Sequence, residues 1–439
     1  MEFYKHRTTF HNYRYKPETY SSVGQRLWHF HDQHPLPPFV NRRLREVMRQ
    51  YRRLRTVVLA PTVRGERDEF GDVLAPRQTF LAPCTDFVPP SLEKVEARFR
   101  DLHQLNEYLY NGDGSWEQHV YSSAYGSGVA IEEVAFRIQG YLAAYEIFGD
   151  PIYHQRAVEG GEYILRERLF ADGHLRLESH MVTELEYTFA GCGLLALHQN
   201  DPVRTDWLDA ARRIGDRLVE EHCTGCSDHA TMPAQLLGPL YQLTGDASYL
   251  KAALQRVFRY AVDLQLPYGG WTGPDSFIWY HSIITKSVLS AYVATPNTLA
   301  YYAKKDRLAR CLTAGINRLL AAQDETGQIK MGRGEQTWDY SYADHMVTFE
   351  DGNLVHAPFE LHRYTGPYEL DLLMAAFERL AVQPAAVAAM GYAELMLQQT
   401  EYGRADFETF AMGRCAQFLS RLARGSKQTQ REVGFLADR

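Results

Sequence analysis

Between residues 91 and 425 the chain alternates two kinds of hydrophobic pattern. Runs such as 129–148, 182–198, 229–244 and 281–303 are apolar nearly all round. The runs that follow them, 151–169, 203–221, 247–264 and 305–322, carry apolar residues at three- and four-residue spacing on one face and polar residues on the other. A helix apolar on every side must be buried, and a one-sided helix borders solvent. The pattern therefore predicts buried and surface helices in alternation, which close into two concentric shells. Further helices are predicted over 39–58, 91–110, 367–382, 384–400 and 405–424, with an irregular segment over 330–366 and a Pro/Gly-punctuated loop over 60–90.

The connections repeat as well. A short Gly/Asp corner joins each buried helix to the next surface helix, and a glycine turn leads back inward, with a period of roughly fifty residues; such self-similarity marks a repeat architecture. The glycine turns are NGDGSW (111–116), ADGH (171–174), PYGGW (267–271) and DETGQ (324–328). The corner LTGD-xxYL (243–250), its echo FGDPIY (148–153), and GGW (269–271) ahead of an inner helix resemble the α/α-toroid superfamily, which includes six-hairpin glycosidases, sugar epimerases and toroid polysaccharide lyases. The resemblance covers about residues 91–425 and implies an all-α toroid of six or seven helical hairpins, with short strands in the DGH, GGW and DETGQ turns. Residues 1–35 read as an N-terminal arm, rich in histidine, and 36–439 as a single catalytic domain.

Composition narrows the function. With 47 basic and 54 acidic residues the net charge is −7, which lacks the basic field of a nucleic-acid binder. No run has the length of a membrane-spanning helix, and the first residues lack the apolar core of a signal peptide. The chain as given reads as soluble and cytoplasmic; removal of an export signal would make it secreted or periplasmic. The 28 tyrosines offer flat faces with polar tips, which suit sugar rings as well as helical cores. Cys192, Cys311 and Cys415 lie in apolar helical runs and read as free thiols. The Cys223-x-x-Cys226 pair with His229 is half of a zinc-ligand pattern. A single short motif carries little weight, so neither metal nor cofactor is expected.

The loops entering the inner helices converge on one end of such a ring, and there the sequence concentrates polar groups. Tyr280, His281, His229, His180 and Tyr340 are the candidate acids and bases. Trp116, Tyr125, Trp271, Trp279, Lys286, Arg333, Trp338, Tyr342 and His345 are the candidate substrate contacts, the tryptophans for sugar stacking and the cations for carboxylates. Tyr and His suit β-elimination on a uronic-acid polysaccharide of alginate or glucuronan type, where one group removes the α-proton and another protonates the leaving oxygen. The resemblance to toroid lyases, which use a Tyr as acid with a His nearby, points the same way. The expected partner is thus a polysaccharide or oligosaccharide. Three alternatives remain. A glycoside hydrolase would pair Glu184 or Glu186 with Asp339, Asp344, Glu350 or Asp351. A sugar epimerase would use the same proton-transfer groups as the lyase. A helical ring can also serve as a binding scaffold without catalysis.

Overall fold

The computed structural model describes residues 80–117, 129–176, 183–220, 227–265, 269–271, 278–329, 346–348, 354–356, 367–398 and 405–432. Their helices are α1 (Leu92–Leu109), α2 (Ile131–Phe148), α3 (Pro151–Tyr163), α4 (Thr183–Asn200), α5 (Thr205–Glu220), the short α6 (Ser227–Thr231), α7 (Ala234–Thr244), α8 (Ala247–Val257), α9 (Ile278–Ala294), α10 (Tyr302–Ala322), α11 (Pro367–Leu380), α12 (Gln383–Gln398) and α13 (Ala405–Glu432). Two short strands, β1 (Met346–Thr348) and β2 (Leu354–His356), pair antiparallel with Val347 opposite Val355, inside the segment expected to be irregular.

Helices α2, α4, α7, α9, α11 and α13 pack each against the next, and α13 returns to α2, closing an inner ring. Helices α1, α3, α5, α8, α10 and α12 lie outside it. The described residues thus make six hairpins, an (α/α)6 toroid. The two shells differ as the pattern requires. From Ile131 to Ala144 every residue of α2 except Gln139 is buried, whereas α5 buries one stripe, Trp207, Ala210, Ala211, Ile214, Gly215 and Leu218. The inner helices run parallel. The start of α4 meets the start of α2, where Glu186 Oε2 accepts from the Glu132 N–H at 2.8 Å. The middle of α13 meets the end of α2, where the Gln417 amide donates to Glu146, eight residues beyond the contact of Thr409 with Gly140. Closure itself is a contact of small residues. A Cβ on Gly140 would overlap the Thr409 carbonyl, and one on Gly413 would overlap the carbonyl of Gly140. Beside that contact Asn106 of α1 donates to Thr409 Oγ1 at 2.7 Å and accepts from Arg137 Nε at 2.9 Å.

The two corners are built alike. Gly149 and Gly245 end α2 and α7 in the left-handed conformation, both with φ 73°. Asp150 and Asp246 then cap α3 and α8 by accepting from the Ile152 and Ser248 N–H groups. The glycine turns carry a second device. Tyr110 bridges Trp116, Leu169 bridges Leu175, and Gln323 bridges Ile329, so the expected strand pairing is one bridge long. Gly173 (φ 84°) and Gly327 (φ 87°) press against the next outer helix, where a Cβ would meet the Arg213 and Gly391 carbonyls; Gly114 and Gly269 do the same to Glu159 and Ala314. Two residues on, Trp116, Leu175, Trp271 and Ile329 are all buried. Gln265 and Gln323 complete the lock, each donating to its own turn's glycine carbonyl and to a carbonyl of the next outer helix, Cys311 and Ala388 respectively, at 2.8–3.0 Å.

Helix boundaries depart from the sequence reading where proline intervenes. The run 281–303 stops at Ala294, because Pro296 has no N–H and disfavours helix at Thr295. The run 229–244 is divided into α6 and α7 at Pro233. The arm 1–35, the helix over 39–58 and the Cys223-x-x-Cys226 turn lie outside the described residues. Of the other thiols, Cys311 and Cys415 are buried, Cys192 is partly buried and Cys84 is exposed; all four are free.

Gly173→Ala is expected to cost at least about 2 kcal/mol, since strain at positive φ adds to the clash with Arg213. Gly149→Ala, with the same sign of φ and open space around it, is expected to cost distinctly less. Urea midpoints of the two variants check this, and equal losses would remove the close approach as a cause.

Candidate active site

Because the inner helices are parallel, their six N-termini gather at one end of the ring, called the entry end below. Each N-terminus presents unpaired N–H groups and the positive end of a helix dipole. The chain places acids there in almost every first turn: Glu132 and Glu133 on α2, Glu184 and Glu186 on α4, Asp228 on α6, Glu369 on α11, Asp406 and Glu408 on α13. All but Glu184 are buried. Some are spent on structure. Glu133 pairs with Arg137 at 3.3 Å, and Glu408 with Arg98 at 2.6 Å.

Glu186 is placed differently. Burial, then the neighbouring charges of Glu132 and Glu133, push its carboxyl well above the ordinary 4.5, although the Glu132 N–H and Arg168 pull the other way. Glu369 is fully buried, and among the described residues neither of its oxygens has a hydrogen-bond partner. Burial raises it to about 7. The entry end therefore holds two carboxyls that keep their protons well above the usual carboxylate range.

One turn deeper the axis is filled by aromatic side chains. Phe136 packs on Phe189 with ring centroids 4.5 Å apart and on Phe407 at 4.9 Å, and Tyr368 meets Phe407 at 5.4 Å. Phe410, Met232 and Ile283 complete this plug, and Tyr280 packs against it. The plug forms a floor beneath the rim of acids.

Of the candidate acids and bases, the structure keeps His229 and Tyr280 at this end. His229 is partly exposed, and its Nε2 lies 3.3 Å from Oδ2 of the buried Asp228. Tyr280, also partly exposed, stands on α9, which packs against α6. His281 is a correction. It is only 2 % exposed, its Nε2–H donates to the Gly315 carbonyl at 2.8 Å, and its ring lies 5.0 Å from Trp271. Burial, with Arg318 nearby, drives its pKa down to about 3, so it is a neutral packing residue. Residues 280, 283, 286 and 290 make the axial stripe of α9 and His281 falls off it.

Two of the candidate substrate contacts are also corrected. Trp116 and Trp271 are 0 % and 1 % exposed and leave no face for a sugar. They are the buried residues two past the turn glycines; Trp271 donates to the Ala261 carbonyl, and Arg137 lies over the Trp116 ring at 5.4 Å. Lys286 faces the axis beyond the plug, in a separate well, and is ion-paired to Asp371. Trp279 is on the first turn of α9. Tyr125, His180, Arg333, Trp338, Tyr340, Tyr342 and His345 lie outside the described residues, as do Asp339, Asp344, Glu350 and Asp351.

The sequence reading missed the rim residues Glu132, Glu133, Glu369, Asp406 and Glu408. A signal existed, since each opens an apolar run. One such acid reads as a helix cap, and only a parallel ring makes several of them a cluster. Among the described residues no group of three or more side chains is arranged to hold a metal ion, and no helix is long and apolar enough to cross a membrane.

No protein-family model and no curated protein matches the chain. Solved structures do. The chain is similar to a sugar epimerase from a ruminal bacterium, with 10% identity and a TM-score of 0.51 over 75% of this chain and 98% of that one. It is similar to an unsaturated glucuronyl hydrolase from Streptococcus agalactiae, with 11% identity and a TM-score of 0.51 over 78% and 95%. It is also similar to the Lin0763 protein from Listeria innocua, with 11% identity and a TM-score of 0.51 over 76% and 98%. At these identities the likeness is one of fold, and the fold is the α/α toroid.

Proposed function

We propose that this chain is a carbohydrate-active enzyme and that its entry-end carboxyls hydrolyse a glycosidic bond. The observation that carries the reading is Glu186, a buried carboxyl that accepts the Glu132 N–H beside other acids at the end of the ring where six helix N-termini meet, surroundings that favour its protonated form. Glycoside hydrolysis needs one carboxyl that still has its proton, to give to the leaving oxygen, and a second that activates water or attacks the sugar. Glu186 is suited to the first role. Asp228, on the adjoining inner entry, is the candidate for the second, with His229 against it at 3.3 Å.

Electrostatics separates this reading from elimination on a polyuronate. Elimination requires the charge of the substrate carboxylate to be neutralised, most strongly by a cation. Of the two cations expected there, Lys286 faces the other side of the plug and Arg333 lies outside the described residues, while Arg98 and Arg137 each pair with a rim carboxylate. The described rim carries more carboxyls than cations, which favours a neutral or cationic sugar over a polyanion. The epimerase and hydrolase among the structural neighbours fit a sugar substrate in general. One observation favours a second reading. His229 backed by Asp228, with Tyr280 on the neighbouring entry, is a base and an acid suited to moving a proton at carbon, as elimination and epimerisation both do.

A panel of neutral oligosaccharides and polyuronates, followed for reducing ends, ultraviolet absorbance and sugar configuration, separates the three. New reducing ends without absorbance are expected on a neutral glycoside. Absorbance from a new conjugated double bond, or inversion at one carbon without cleavage, would move the assignment to His229 and Tyr280. Glu186→Gln keeps an acceptor for the Glu132 N–H, so it should leave the melting temperature nearly unchanged while lowering turnover by about 10²-fold or more.

The buried carboxyls also predict how stability depends on pH. Glu369 holds its proton to about pH 7 when folded, against an ordinary 4.5 when unfolded. Between those values the native state binds more protons, so stability falls as pH rises, by up to about 3 kcal/mol from this group. Glu369→Gln should therefore gain stability relative to the wild type at pH 8 and lose that advantage near pH 4.5. Parallel melting curves for the two proteins would exclude the buried proton.

A further inference from the structure

Beyond the plug, ringed by all six inner helices, a well of about 400 Å³ opens to solvent. Phe189 and Phe410 of the plug form its base, and none of the rim acids Glu132, Glu186, Asp228 and Glu369 lines it. We propose that this well is a second, non-catalytic binding site for a neutral polyhydroxylated ligand, a mono- or disaccharide. The assignment is independent of the chemistry at the entry end.

Charge comes first. Most of the ionic groups of the well pair with one another, and the exposed Arg379 also lines it. Lys286 pairs with Asp371, Arg414 bridges Asp371 at 3.5 Å and Glu378 at 2.8 Å, and Arg421 reaches Glu378 at 3.1 Å. Asp371 is buried and Glu378 partly so, and a charged ligand would have to displace one member of the network and leave its partner poorly compensated. A neutral ligand makes no such demand.

The rest of the lining supplies hydrogen bonds in both directions. Six carboxamides, Gln139, Gln199, Asn200, Gln235, Gln242 and Gln417, face the well, with Ser290 among them. A carboxamide offers a donor and an acceptor side by side, and a hydroxyl can use either. Several are held in place: Gln235 Nε2 donates to the Ile283 carbonyl and to Ser287 Oγ, and Gln139 Nε2 to the Ala135 carbonyl. Gln199, Asn200 and Gln242 at the mouth are exposed. An aromatic base beneath fixed polar walls suits the apolar face and hydroxyl edge of a sugar. The volume lies within the range of small-ligand sites, about 300–1,000 Å³.

The test titrates the full chain with glucose, mannose, maltose and cellobiose by saturation-transfer NMR, with inorganic phosphate and glucuronate as charged probes. Saturable binding of at least one neutral sugar is expected, weakened at least tenfold by Ser290→Trp, which fills the well, and by the milder Gln139→Leu, and unchanged in Glu186→Gln. Melting curves verify that each variant folds, and Gln139→Leu carries the test if Ser290→Trp does not. Binding by none of the four sugars overturns the proposal. So does binding that Glu186→Gln removes and the well variants leave intact, which would belong to the entry end. Phosphate or glucuronate binding that the well variants abolish, in place of the neutral sugars, also overturns it.

Discussion

The structure depends on the contact that closes the ring. Helix α13 returns to α2 with Gly413 against Gly140, backbone on backbone, and Asn106 ties both to the outer shell through Thr409 and Arg137. Here the first inner helix meets the last one, so the contact joins residues nearly three hundred positions apart. Helices that are apolar all round cannot face water, and the closed ring is what hides them. A side chain at either glycine would clash with backbone of the facing helix and force the two helices apart.

Closure also fixes a polarity. Six parallel helices sum their dipoles, so one end of the axis is electropositive and the other electronegative. The side chains compensate both. Acids crowd the first turns at the entry end, while Lys286, Arg379, Arg414 and Arg421 serve the far half of the axis. The aromatic plug separates the acid-rich first turns from the far half, where Asp371 and Glu378 pair with these cations. The same backbone arrangement therefore yields an acid-rich dish at one end and an ion-paired, amide-lined well at the other.

The shells were legible in the sequence because burial on one face or on all faces leaves a direct imprint on composition, and the corners were legible because Gly149-Asp150 and Gly245-Asp246 each perform two local jobs in adjacent residues. The number of hairpins was not, since closure is a long-range contact between two glycines. The site was read less well. Trp116 and Trp271 stand in loops, and a loop tryptophan suggests a ligand; Leu175 and Ile329 in the same register after Gly173 and Gly327 were the clue that the position is a core plug. His281 and Lys286 failed for a different reason. In a helix without a polar face, sequence does not reveal which stripe meets the axis, and a rotation of one residue moves a side chain by about 100°. Tyr280 and His229 kept their place at the entry end because they sit where the helices begin.

Glu186 joins the architecture to the chemistry. It caps the neighbouring inner helix by accepting from the Glu132 N–H, a role that favours a charged carboxylate by about 0.3–1 kcal/mol. Burial beside Glu132 and Glu133 opposes that charge. Burial and repulsion together outweigh the cap, and the proton stays. A protonated carboxyl still has an oxygen that accepts the Glu132 N–H, so most of the cap survives while the acid remains ready to donate. Packing of six parallel helices is enough to produce that combination: it supplies the N–H group to be capped, the neighbouring acids that repel the charge, and the dry surroundings that make the repulsion decisive.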